Sequence, residues 1–149
     1  MKLLFTAFLA GSFCLSLYQG KALAQHKTEI PELRTGPHNF TLQWIGWDRP
    51  GTVSLRKKSD HVYFINGEQV SRDSTEYVTI EGTIEPVSAT ELLFKGTIKS
   101  VVNEVNKGNV CKRLGVYHFK ASGKRKYWRL QEMTNCEGNN LVDYIDIYF

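Results

Sequence analysis

The feature that most constrains this chain is its rhythm. From Gln25 onward the apolar residues come in short alternating runs, cut by Gly, Asn, Asp, Ser and Pro at intervals of about ten residues. Alternation with a period of two puts every second side chain on one face of an extended strand. No segment after Gln25 sustains the three-to-four spacing of an amphipathic helix. The pattern therefore predicts an all-β domain: a single antiparallel meander of about eight strands, closed into a barrel or flattened sandwich. A first strand is expected from Phe40 to Trp47, ended by Asp48-Arg49-Pro50-Gly51, and a second from Val53 to Lys57. His61–Ile65 and Glu68–Arg72 flank Asn66-Gly67, a pair suited to a two-residue type I′ turn, so a hairpin is expected there. Tyr77–Glu85 and Glu91–Val102 read as two further strands around Pro86–Thr90.

The stretch from Cys111 to Cys136 carries the most information. A hairpin turning at Ser122-Gly123 sets Tyr117 opposite Trp128, His118 opposite Tyr127, and Phe119 opposite Lys126. Tyr117, Phe119, Trp128 and Leu130 then share a core face, while His118, Arg125, Tyr127 and Arg129 share the other. In this register Arg113 faces Glu132, an expected ion pair, and Cys111 and Cys136 meet at the open end. A disulfide between them closes a loop of about 26 residues, for which chain entropy alone gives about 3–4 kcal/mol.

The ending, Val142 to Phe149, alternates as sharply. Ile145, Ile147 and Phe149 point to the core; Tyr144, Asp146 and Tyr148 point away. Beside the hairpin, this strand completes a surface of Arg125, Tyr127, Arg129, Tyr144, Asp146 and Tyr148. Arg and Tyr offer rigid contact area and directed donors, the chemistry of binding surfaces. The competing reading is a solvated sheet face whose charges pair across strands. The turn adds Lys124 and Lys126, with Lys112, Arg113 and Lys120 further along, a basic group suited to an anionic small molecule, a polysaccharide or an acidic protein surface. Trp44 and Trp47 lie three apart, hence on opposite faces of the expected first strand, so one is core and the other a rim residue or aromatic platform.

The opening sets the compartment. Met1-Lys2, an apolar run from Leu3 to Tyr18, and Lys21-Ala22-Leu23-Ala24-Gln25 have the n-region, h-region and Ala-x-Ala site of an export signal, with cleavage expected after Ala24. Residues 1–24 are thus assigned to the signal, 25–37 to an extended arm and 38–149 to the domain. The apolar run is short for a membrane span, and Phe13 before Cys14 does not suit lipid attachment. Cleavage leaves Cys111 and Cys136 as an even pair in an oxidising periplasmic or extracellular setting. It also removes Lys2 and Lys21, so 17 basic residues face 15 acidic ones, a net charge of +2 in place of +4. That is too little to imply nucleic acid.

Signatures of enzymes are missing. The chain has no GxSxG, no HExxH, no phosphate-cradling Gly-rich loop and, with its cysteines paired, no free thiol nucleophile. His26, His38, His61 and His118 are dispersed, and no metal or cofactor is expected. Asp143 and Asp146, three apart on a strand, face opposite ways, unlike a glycosidase pair. The expected architecture is similar to that of lipocalin-like proteins and of small periplasmic inhibitors of lysozymes and proteases. The first strand, with Trp44-Ile45-Gly46-Trp47, lacks the lipocalin Gly-x-Trp, so no family is assigned. The reading is a non-catalytic exported binding module using the basic-aromatic hairpin. The alternatives are a secreted or periplasmic enzyme inhibitor, a small hydrolytic enzyme, and an outer-membrane barrel, the last suggested by the terminal Phe149.

Overall fold

The computed structural model describes residues 30–149, so the expected export signal lies outside the described residues. Eight strands follow one another: β1 (Gly36–Leu42), β2 (Gly51–Ser59), β3 (Val62–Val70), β4 (Tyr77–Ser88), β5 (Glu91–Val101), β6 (Cys111–Lys120), β7 (Tyr127–Leu130) and β8 (Ile145–Tyr148). Each pairs antiparallel with the next, and β8 returns to β1 through Phe40↔Ile147, closing a barrel. Among the described residues helix is confined to one 3₁₀ turn, Asn106–Gly108. The all-β, single-disulfide architecture read from the alternation is thus the observed one. Cys111 and Cys136 are bonded, joining the start of β6 to the segment after β7.

Alternation also builds the interior. Phe40 and Leu42 from β1, Val53 and Leu55 from β2, Tyr63 and Ile65 from β3, Ile80 and Ile84 from β4, and Phe94 and Ile98 from β5 are all buried. Phe119, Trp128, Leu130, Ile145 and Ile147 complete one continuous core. The outer face of β2–β5 is polar, with Thr52, Ser54, Arg56, Glu68, Glu81, Lys95 and Lys99. Such a face offers no encircling apolar band of the kind a membrane barrel requires.

One expected hairpin is absent. Asn66-Gly67 lies in the middle of β3, with Asn66 between Ser54 and Glu81 and Gly67 between Val53 and Ile80. The turn falls instead at Asp60-His61, where His61 takes a φ of 56°. Gly67 serves close approach: a Cβ there would lie 2.1 Å from the Thr52 carbonyl oxygen and 2.5 Å from the Val53 Cα. The apolar alternation was interrupted at Gly67 and again at Gln69, whose buried amide accepts from the Leu42 N–H at 2.7 Å and donates to the Gly46 carbonyl at 2.8 Å.

The first strand also starts and ends earlier than expected, at Gly36–Leu42 in place of Phe40–Trp47. After Leu42 the chain turns, with the Ile45 and Gly46 N–H groups both donating to the Leu42 carbonyl. Trp44 and Trp47 therefore leave from a turn and not from opposite faces of a strand. Before β1, Leu33 is buried and its N–H donates to the Tyr63 hydroxyl at 3.0 Å, while Tyr63 donates to Glu32. Gly36, Pro37 and His38, placed in or beside the expected arm, belong to β1, and the His38 ring bridges the Arg34 and Tyr148 carbonyls at 2.7 Å each.

The hairpin of β6 and β7 is offset from the expected register. Phe119 pairs with Leu130 and Lys120 with Arg129, so each partner is displaced by four residues. An even displacement keeps every side chain on its face. The core and outer sets read from the sequence therefore survive. The expected Arg113–Glu132 ion pair does not: Arg113 turns inward to Asp143 at 3.1 Å, and Glu132 pairs with His118 at 2.7 Å.

Gly82 and Gly96 face each other across β4 and β5, inside the barrel and under the Phe94 ring. A Cβ at Gly82 would sit 2.2 Å from the Lys95 carbonyl oxygen and 2.8 Å from that ring. Gly82→Ala is expected to lower stability by about 1–3 kcal/mol through overpacking. Urea unfolding checks it, and a change within about 0.5 kcal/mol would show that the backbone relaxes freely there.

Candidate functional site

The register of β7 and β8 assembles the outer face. Tyr127 pairs with Tyr148 and Arg129 with Asp146. The Arg129 fork donates through Nε and Nη2 to the two Asp146 oxygens, both at 2.8 Å. This bidentate match fixes the guanidinium plane. Asp146 is wholly buried and the Arg129 side chain only 16% exposed. Hydrogen bonding to Asp146 holds the Arg129 pKa above its ordinary value, outweighing the opposing effect of burial.

Aromatic rings surround the guanidinium. Its carbon lies 4.4 Å from the Tyr144 ring centroid, 5.1 Å from Tyr127 and 5.6 Å from Trp47. The Tyr127 and Tyr148 rings pack at 5.5 Å. Trp47, Tyr127, Arg129, Asp146 and Tyr148 line a shallow depression of about 290 Å³. Arginine stacked on ring faces gains cation–π attraction. The result is a shelf of flat groups around a guanidinium held in one plane, with Trp47 44% exposed at its margin.

Of the sequence-singled residues, Tyr127, Arg129, Tyr144, Asp146 and Tyr148 converge here. Arg125 joins at the margin, 5.7 Å from the Tyr127 ring. Lys124 and Lys126 sit beside it in the exposed β6–β7 loop and, among the described residues, make no ion pair. Lys120 is drawn away to Glu91 at 3.3 Å. His118 is not part of the shelf. Its ring and N–H are both taken by Glu132, at 2.7 and 2.8 Å. Burial pushes the Glu132 pKa up, but these hydrogen bonds win and hold it below the ordinary range. A lowered carboxylate stabilises the fold above its unfolded value, about pH 4.3, and that contribution fades as pH falls through the folded value.

Trp47 is the residue sequence reasoning did not attach to the hairpin. It is 44% exposed, whereas Trp44 packs on the core and donates to Asp143 at 3.1 Å. The division into one core and one exposed tryptophan was legible, but the neighbour of Trp47 was not, because barrel closure brings the β1–β2 turn to β7. Larger hollows of about 830 and 580 Å³ lie on the outer face of β2–β5, the first lined mainly by Thr, Ser, Asn and Glu and the second also by Arg56, Phe64 and Lys95. No group in them is pinned as Arg129 is.

Asp143 and Asp146 serve different arginines, Arg113 and Arg129. Among the described residues no three or more His, Cys, Asp or Glu side chains gather in a metal-binding arrangement, and no helix is long and apolar enough to cross a membrane.

Fold and site together define a small closed antiparallel β-barrel, disulfide-bonded, with an arginine-centred aromatic shelf on its closing strands. The PM1083 family model matches residues 22–149, and the chain belongs to that family. It is 39% identical over 153 residues to Uncharacterized protein PM1083 of Pasteurella multocida strain Pm70, an alignment covering 100% of this chain and 96% of that one. No solved structure matches the chain.

Removing one partner of a buried pair strands the other. Arg129→Ala is therefore expected to cost about 3–5 kcal/mol, since it leaves the Asp146 carboxylate buried and unpaired. Replacing both, as Arg129→Met with Asp146→Leu, should recover much of the loss. Urea unfolding of the three variants reads this directly. A loss of under about 1 kcal/mol for Arg129→Ala, the range of exposed pairs, would show that the pair is in effect solvated.

Proposed function

We propose that the mature protein is an exported, non-catalytic binding module whose contact surface is the aromatic shelf with the basic loop at its edge. The observation that carries this reading is the locking of Arg129 by Asp146 among three aromatic rings. A surface already held in one conformation loses little entropy on binding, which is where affinity is most often lost. An ordinary solvated sheet face has no such requirement. Export is supported by the signal-like opening and by the Cys111–Cys136 bond, which suits an oxidising compartment.

The ligand class follows from the division of labour. Arg129 is neutralised by Asp146, so attraction for anions comes from Lys124, Arg125 and Lys126, while Trp47, Tyr127 and Tyr148 supply stacking area. The depression is open and shallow, fitting a polymer or protein surface better than an enclosed small molecule. An acidic polysaccharide or an acidic protein face meets both demands.

The test uses heparin and poly-glutamate as acidic probes, with a neutral glucan for comparison. Arg129 is unsuitable for mutation here because its loss unsettles the fold. Trp47→Ala with Arg125→Ala removes exposed groups and should leave the unfolding midpoint within a few degrees. Binding to the acidic probes is expected to weaken about tenfold or more, and affinity of the parent should fall as salt rises toward the ionic strength where the screening length is about 8 Å. Equal binding by parent and variant, or an affinity indifferent to salt, would contradict the reading.

A further inference from the structure

We propose that the outer face of β2–β5 is a binding site for a neutral, hydroxyl-rich glycan chain lying across the strands. The site shares no residue with the aromatic shelf and does not rest on the function proposed for it. The ladders set Ser54, Asn66, Glu81 and Thr97 side by side, one from each strand, in a row across the sheet. With strands about 4.8 Å apart, that row is about 14 Å long, enough for a short oligosaccharide. The hollows of about 830 and 580 Å³ on this face have Ser54, Asn66 and Glu81 in common, so they run into each other along the row.

The side chains of the row are uncommitted. Among the described residues none of the four makes a hydrogen bond or ion pair within the chain. Elsewhere outward charges pair, as Lys57 does with Glu32 and Lys120 with Glu91, and even Lys95 turns from this row to Glu85 at 3.6 Å. The row thus presents two hydroxyls and an amide, which both donate and accept, around a carboxylate that only accepts. Adjacent hydroxyls of a sugar ring match the two carboxylate oxygens, in bonds strengthened by the charge. Phe64, 42% exposed beside the row, offers a ring face to the C–H side of a sugar, with Arg56 and Lys58 flanking it at 5.8 and 5.1 Å. Charge selects for neutrality. Glu81 and Glu68 oppose a polyanion, while Arg56, Lys95 and Lys99 around them oppose a polycation. A protein partner would need an apolar centre that this face lacks.

The probes are maltohexaose, cellohexaose and the hexamer of N-acetylglucosamine, each titrated into the protein and followed by NMR. At least one is expected to shift the Asn66 side-chain amide and the backbone amides of Glu81 and Thr97, with an affinity that salt does not change. Asn66→Ala with Glu81→Ala should weaken that binding about tenfold or more through the lost hydrogen bonds, and should leave the unfolding midpoint within a few degrees because neither side chain bonds within the barrel. If that variant fails to fold, Phe64→Ala provides the check, with weakened binding again expected. Trp47→Ala with Arg125→Ala, which alters only the shelf, should bind the oligosaccharide as the parent does. No binding of any of the three, shifts centred on Trp47 and Tyr127 in place of the row, binding lost as salt rises, or folded Asn66, Glu81 and Phe64 variants that bind like the parent would each overturn the proposal.

Discussion

Closure of this barrel depends on the ion pair between Arg113 and Asp143. β2 to β6 are joined by long ladders, but β6 meets β7 at two positions only, and the gap below is spanned by the irregular segment from Gln131 to Tyr144. Arg113 reaches across it, donating to the Glu132 and Thr134 carbonyls at 3.2 and 3.0 Å and to Asp143 at 3.1 Å. Asp143 in turn accepts from Trp44 and Asn135. The two side chains are 11% and 2% exposed. Such a buried pair, here with Arg113 Nε left without a partner, gains little over apolar packing but costs several kcal/mol, about 3–5, to break on one side. The disulfide ties the same segment to β6 and removes loop entropy from the unfolded chain.

A second arginine and aspartate, Arg129 and Asp146, pair across the neighbouring β7–β8 ladder, and they have a different consequence. Arg113 faces inward and fills the gap; Arg129 faces outward and organises Trp47, Tyr127 and Tyr144 around itself. The rigidity of the proposed contact surface and the stability of the barrel thus come partly from the same bonds. That coupling explains why substitutions at the exposed rim, Trp47 and Arg125, separate function from folding, whereas substitution at Arg129 does not.

The fold was legible wherever alternation of apolar side chains was uninterrupted. β4 and β5 came close to their expected places, whereas β8 covers only Ile145–Tyr148 of the expected Val142–Phe149 and leaves Phe149, expected in the core, 47% exposed; the face assignments of β6 and β7 survived a register displaced by four residues because the displacement is even. β3 was cut in two because glycine at 67 has two uses, positive φ in a turn and close approach between strands, and the residue type alone does not say which applies. β1 lies four to five residues earlier than expected, because Trp44, Ile45 and Trp47 are apolar without being strand and Gly36-Pro37-His38-Asn39 is strand without being apolar. The candidate surface was legible as Arg, Tyr and Asp on one face. Its exclusion of His118, its inclusion of Trp47 and the inward turn of Arg113 depend on contacts of His118 with Glu132, Trp47 with Arg129 and Arg113 with Asp143, which lie 14, 82 and 30 residues apart in the chain and which periodicity does not encode.

The central claim is that the Arg113–Asp143 pair acts as one unit in holding the seam shut. A double-mutant cycle with Arg113→Met, Asp143→Asn and the combined variant, read by urea unfolding, tests it most directly. A coupling energy above about 1.5 kcal/mol is predicted, within the range that contacting residues in one network display. Effects that add to within about 0.3–0.5 kcal/mol, as for independent sites, would contradict it.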